Sequence, residues 1–232
     1  MFLPCARPRL PLVALAFLSL PVAAAAQQSG VVDEGTFMVS RNGAPIGRES
    51  FRIVRAPAPG GQVYQARSQS ALGADRLTTI LGTDSTGAPV SYEAELSRNG
   101  QVVERARGSG STSRFTVLVQ TRTGEASREY VLENGALLLD DEVVHQFHFV
   151  GLALSDGFDV IAPRATGQAR LRLEPRGTET LLIGRSRVAS RRFALLDPAG
   201  TAREIWLDGQ GRLLKVALPD KSLVAVRDDP PR

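Results

Sequence analysis

Cysteine occurs once in this chain of 232 residues, at position 5. That excludes an internal disulfide framework and a multi-cysteine metal centre. Lysine is almost absent; Lys215 and Lys221 are the only two, so positive charge is carried by arginine. Histidine is limited to His145 and His148. No His-Glu-x-x-His run, no Gly-x-Ser-x-Gly elbow, no phosphate-binding loop and no dinucleotide fingerprint occurs. After residue 26 no apolar stretch approaches the ~20 residues of a membrane-spanning helix. No repeat of 20–50 residues marks a solenoid or a propeller.

What is present begins with an address. Arg7 and Arg9 precede the run Leu12–Leu20, which is apolar except for Ser19 and is followed by Pro21 and Ala23 to Ala26. A basic start, a short apolar core and small residues at −3 and −1 form a secretory signal. Residues 1–26 are therefore expected to be removed, taking Cys5 with them, and residues 27–232 to form one exported domain. Cys5 lies ahead of the apolar run, so it is not the acylated cysteine of a lipoprotein. The Ala, Arg and Pro bias points to the periplasm, or to secretion beyond it.

The chain carries a formal +4. Without Arg7 and Arg9 it holds 26 basic against 24 acidic residues, a net of +2. Acidic neighbours interleave with the arginines, as at Glu104-Arg105, Arg128-Glu129 and Arg203-Glu204, which argues against nucleic acid as a partner. The densest basic stretch, Arg185, Arg187, Arg191 and Arg192, reads as the solvated face of two strands.

From Gln27 onward the pattern is strand, turn, strand. Phe37 and Val39, Phe51 and Ile53, and Phe115, Val117 and Val119 each repeat at period two. Asn42-Gly43 and Asn99-Gly100 supply the positive φ pairs of tight hairpins. Gly108 to Thr112 reads as a flexible connection. Leu181 to Arg187 and Arg191 to Leu196 read as separate strands. One segment departs from the rhythm. Asp141 is placed to cap a helix over 142–154, whose stripe is Val143, Phe147, Val150 and Leu154, with Asp156-Gly157 as its end. Asp84-x-x-Gly87 and Asp208-x-x-Gly211 each follow one strand and open another; duplication and ordinary hairpin similarity both account for this echo.

The expected fold is mainly β: one large, strongly curved antiparallel meander of 12–13 strands, half-barrel or clam-like, with a single central helix. At ~4.8 Å per strand such a sheet spans roughly 60 Å, whereas a helix ~10 Å wide covers about two strands. The uncovered apolar face is expected to hold an apolar small molecule, an acyl chain, a lipid or an envelope partner. Phe37, Phe51, Tyr92, Phe115, Phe147 and Trp206 are the candidate lining residues. No cofactor and no metal are expected. Two other readings stay open. One is a hydrolase or metal-dependent enzyme centred on His145 and His148, three apart on one helix side, with His148 near the apolar stripe and His145 free to face solvent. The other is a structural envelope module that binds through strand edges.

The Asp84 to Pro89 hairpin, the Leu139-Asp140-Asp141 lead into a short His/Phe helix and the Trp206-Leu207-Asp208 to Lys215-Val216 hairpin carry a resemblance. Together they resemble a group of uncharacterised exported bacterial β-proteins, of the domain-of-unknown-function type. The architecture is similar to the half-barrel of periplasmic lipoprotein carriers. The resemblance implies a fold and an envelope setting, not a reaction.

Overall fold

The computed structural model describes residues 30–59, 61–111, 113–132, 136–153, 157–165 and 167–231. Residues 1–26, the expected signal, and Leu154 and Asp156, at the expected end of the helix, lie outside the described residues. Fifteen strands form one sheet. In chain order they are β1 (Gly30–Arg41), β2 (Ala44–Ala58), β3 (Gly61–Leu72), β4 (Asp75–Thr83), β5 (Pro89–Arg98), β6 (Gln101–Gly110), β7 (Arg114–Thr121) and β8 (Gly124–Val131). They continue as β9 (Leu137–Leu138), β10 (Gly157–Ala162), β11 (Gly167–Ile183), β12 (Ser186–Leu196), β13 (Ala202–Leu207), β14 (Leu213–Leu218) and β15 (Leu223–Arg227).

The spatial order is β8-β7-β6-β5-β4-β3-β2-β1-β15-β14-β13-β12-β11-β10-β9. Every ladder is antiparallel except β9 with β10. The sheet does not close; β8 and β9 are its ends. From β1, in the middle of the sheet, the strands run outward to β8; the chain then passes by way of the central helical segment to the far end, and the strands return until β15 pairs with β1. Asn42 and Gly43 (φ 52° and 77°), and Asn99 and Gly100 (φ 52° and 78°), make the two expected tight turns.

Two six-strand meanders, β1–β6 and β10–β15, lie side by side. Asp84 joins the fourth strand of the first to its fifth, and Asp208 does the same in the second. Both loops close alike. Asp84 Oδ1 accepts from the Thr86 and Ala88 N–H groups, and Asp208 Oδ1 from those of Gln210 and Arg212.

Period-two alternation decides the faces. The inner face carries the main core, including Phe37, Ile53, Leu81, Tyr92, Phe115, Phe158, Leu195, Ile205 and Val216. Across it lies a 3₁₀ helix, Val144–Gly151, whose residues Val144 to Val150 are all buried. The expected α-helix over 142–154 is thus shorter and more tightly wound. Asp141 does not cap it, and no side chain of its own N-cap residue does. Instead the carboxylate of Glu49, on β2, accepts from the Val144 and His145 N–H groups at 2.9 and 2.8 Å. Asp141 is held elsewhere, by Arg203 and Lys221.

Other boundaries also differ from the sequence reading. Gly108 and Gly110 belong to β6 rather than to a flexible connection. The Phe115 ring lies over both, and a Cβ at either would sit 2.5 Å from that ring. β11 is one strand of 17 residues, bent where its register with β12 shifts between Pro175 and Thr178. Gly177 takes φ 92° there, which favours glycine. The hairpin turn is Gly184-Arg185, so Arg187 belongs to β12 rather than to the strand of Leu181.

Beyond that bend, the β11–β12 hairpin lies against the outer face of the sheet. Leu181 and Ile183 pack with Trp206 and Leu214 in a second apolar cluster. Trp206 Nε1 donates to Glu179 Oε2 at 2.7 Å. Trp206 therefore lies on the opposite face from the other five candidate aromatics, because its neighbours Ile205 and Leu207 take the inward parity. Near the two ends of the sheet, Gln168 of β11 donates from Nε2 to the carbonyl of Val131 on β8 at 2.9 Å.

Candidate functional site

Charged residues at inward positions of the central strands form the first part of the site. Asp33, Glu49 and Arg227 share the inner face with Phe37, Phe51 and Ala225 and are 5%, 1% and 3% exposed. Arg227 and Asp33 form a two-pronged ion pair at 2.8 and 2.9 Å. The remaining Arg227 donors reach the carbonyls of Glu34, Leu213 and Asp229, and its guanidinium lies 5.3 Å from the centre of the Phe51 ring. Every donor of this arginine is engaged, so it serves as an internal clamp.

Both histidines are buried, His145 included, contrary to its expected exposure. The Glu49 carboxylate accepts from the first N–H groups of the helix and holds its start, with His145, against β2. His145 Nδ1 donates to Glu49 Oε1 at 2.8 Å, and its ring stacks toward Phe51. Residues three apart eclipse in a 3₁₀ helix, so His148 lies on the same side. Its Nδ1 stands 3.8 Å from Asp33 Oδ2, too far for a hydrogen bond. Burial pushes the His148 pKa down to about 4; the charge of Asp33 opposes this, while His145 and Arg227 add to it. The ring is neutral at pH 7. A general base is most effective with a pKa near the working pH, and this one is far below.

A second polar group anchors the entry to the helix. Tyr92 donates to Asp140 Oδ2 at 2.5 Å, the Arg164 N–H donates to Asp140 Oδ1, and the Asp140 N–H donates to Gln146 Oε1. Burial raises the Asp140 pKa, opposed by its bonds to Tyr92 and by Arg164. Burial also drives the Tyr92 phenol well above its ordinary value, and Asp140 adds to the shift. Burial would raise Asp141 too, but hydrogen bonds from Arg203 and Lys221 hold it below the usual carboxylate range. These contacts tie the helix and its lead to both halves of the sheet.

The third part of the site is open space. A cavity of about 370 Å³ lies at one end of β2–β5. Its apolar walls are Ile46, Leu72, Leu77 and Leu96, and Glu142 and Arg164 border it from the chain segments around the helix. Arg41 and Arg98 at its rim are neutralised by Glu142 and Asp75, and Arg164 by Glu104. A more polar cavity of about 530 Å³ is bordered by Asp33, Glu34, Phe51 and Arg227.

Of the six candidate lining aromatics, Phe51 borders that polar cavity. Phe37, Tyr92, Phe115 and Phe147 are fully buried in the main core. Phe37 stacks on Phe51 at 5.1 Å, and the Tyr92 hydroxyl is committed to Asp140. Among the described residues, no three histidine, aspartate or glutamate side chains group to hold a metal ion. Ser155, near His148 in sequence, lies outside the described residues.

Sequence reasoning missed Asp33, Glu49 and Arg227. A signal for all three existed: Asp33 falls on the inward parity of Phe37 and Val39. Glu49 falls on the inward parity of Phe51 and Ile53, and Arg227 on that of Leu223 and Ala225. A charge in an apolar register needs a buried partner. Leu72, Leu77 and Leu96 carried no such signal, because an inward leucine reads alike whether it meets a side chain or a void. No protein family, no curated protein and no solved structure matches the chain.

Proposed function

We propose that this protein is an exported, non-catalytic binding protein of the cell envelope. Its sheet bends into a half-barrel and takes the apolar chain of an amphiphile against the inner face. The observation that carries the reading is the 370 Å³ cavity walled by Ile46, Leu72, Leu77 and Leu96. That volume falls at the small end of small-molecule sites, which suits one hydrocarbon chain better than a whole lipid.

Curvature is supported by the hydrogen bond from Gln168 to Val131. Strands β8 and β11 stand first and thirteenth in the sheet, twelve spacings apart. Laid flat at ~4.8 Å per spacing, they would be roughly 58 Å apart. One 3₁₀ helix cannot roof such a width, and bending lets the sheet roof itself. Burial of both histidines, with one nitrogen of His145 spent on Glu49, favours binding over acid–base catalysis.

The test is native mass spectrometry of the chain purified as the cell accumulates it, followed by titration with a fluorescent polyene fatty acid. The expected result is a bound guest, or uptake of one probe per chain, lost in Leu96→Glu without a change in unfolding midpoint. Leu96 is only partly buried, so that variant is expected to fold. A chain that carries no guest and takes up no probe overturns the reading.

A further inference from the structure

The bent hairpin of β11 and β12 has two unlike faces. Leu181, Ile183, Val188 and Ser190 point to the sheet. Leu181 and Ile183 are anchored on Trp206, and the anchoring is reinforced by the bond from Trp206 to Glu179. The opposite face presents Leu182, paired across the ladder with Arg187, and Thr178, paired with Arg191; Arg185 stands at the turn. Leu182 is 68% exposed, more than the other large apolar side chains exposed among the described residues. Arg185, Arg187 and Arg191 are exposed, and among the described residues none has a carboxylate within salt-bridge distance. The nearby acidic groups are otherwise engaged or lie at the turn. Glu179 binds Trp206, Asp228 pairs with Arg48 at 3.4 Å, and Asp229 Oδ1 lies 3.6 Å from the position of a Cβ on Gly184.

We infer that this face docks on the surface of an anionic phospholipid bilayer. Three uncompensated arginines complement lipid phosphates, and the arginine guanidinium suits phosphate geometry. A polyanion such as nucleic acid would use the arginines alone. A leucine held out among them suits an interface where cations meet headgroups and an apolar side chain enters the acyl boundary. The Trp206 cluster beneath holds the hairpin in place, so docking requires no ordering of this segment. The inference is independent of the cavity and of what occupies it.

The experiment is flotation of the purified chain with vesicles of equal parts phosphatidylglycerol and phosphatidylcholine, against phosphatidylcholine alone, with intact mass recorded to confirm the absence of residues 1–26. Binding is expected to the mixed vesicles only and to weaken with salt. Each arginine near an anionic surface contributes about fivefold, so the triple variant Arg185→Gln, Arg187→Gln, Arg191→Gln loses roughly a hundredfold. Leu182→Ser is expected to lose several-fold more than Leu152→Ser, a control at another exposed leucine. All four substituted side chains of the hairpin are exposed, and an unchanged thermal midpoint confirms folding. Equal binding to both vesicle types, no binding, or no loss in the triple variant overturns the inference. Binding to heparin as tight as to vesicles, with Leu182→Ser indistinguishable from wild type, overturns it in favour of a polyanion.

Discussion

Replacing Glu49 by alanine tests the joint between helix and sheet. The Glu49 carboxylate accepts from the Val144 N–H, the His145 N–H and His145 Nδ1. Glu49 is 1% exposed and His145 0%, so no solvent replaces the lost acceptor. A buried donor left unpaired costs about 1–3 kcal/mol. Two stranded backbone donors, the imidazole and the void left by the side chain together cost about 4 kcal/mol, against a total of about 5–15 kcal/mol for a folded domain. With a urea slope of about 2–3 kcal/mol per molar, the unfolding midpoint falls by about 1.5 M. Glu49→Gln keeps one acceptor but sets an amide donor against a donor, and should fall about halfway. Glu95→Ala is the control, since Glu95 meets Arg105 with both side chains about half exposed; its cost should be under about 0.5 kcal/mol. If Glu49→Ala costs no more than Glu95→Ala, the carboxylate does not hold the helix, and the reasoning fails.

Two further outcomes follow from the same buried groups. The His148 pKa lies at about 4 in the fold, against 6.5 for the free side chain, so the unfolded chain binds the extra proton first as pH falls. Stability is therefore fully present above about 6.5, falls between 6.5 and about 4, and loses about 3 kcal/mol in all from this group. His148→Phe should flatten that part of a urea-midpoint profile, and an unaltered slope would contradict the assignment. Arg227→Ala strands a buried Asp33 and should cost about 3–5 kcal/mol by chemical denaturation. Asp33→Leu with Arg227→Met should recover most of that loss, and no recovery would mean the pair is not compensating itself.

The strands were legible because their information is local. Asn42-Gly43 and Asn99-Gly100 require positive φ, and Phe51 and Ile53 or Phe115 and Val117 display the pleat directly. The helix was legible in place but not in kind. Its first N–H groups are satisfied from Glu49, which lies 95 residues away from Val144 in sequence, and no local cap signal records such a bond. The outer-face hairpin was hidden for the same reason. Leu181 to Arg187 reads as a strand of its own, whereas the ladder of β11 with β12 runs on through the register shift between Pro175 and Thr178 as a bend. Trp206 reads as an inner-face residue, because an aromatic in an alternating strand does not announce that a hairpin covers the other side. The inner charges were readable as register violations, but the choice of partner, Asp33 for Arg227 across 194 positions, belongs to the pairing of β1 with β15.

Under the proposed function, bending of the sheet brings its two ends together and creates the binding space. It is measured most directly by paired spin labels at Val131→Cys and Gln168→Cys in a chain whose only natural cysteine, Cys5, is replaced by serine. A bent sheet predicts a single distance less than half the flat-sheet separation of roughly 58 Å. A distribution centred near that flat-sheet value would contradict the account.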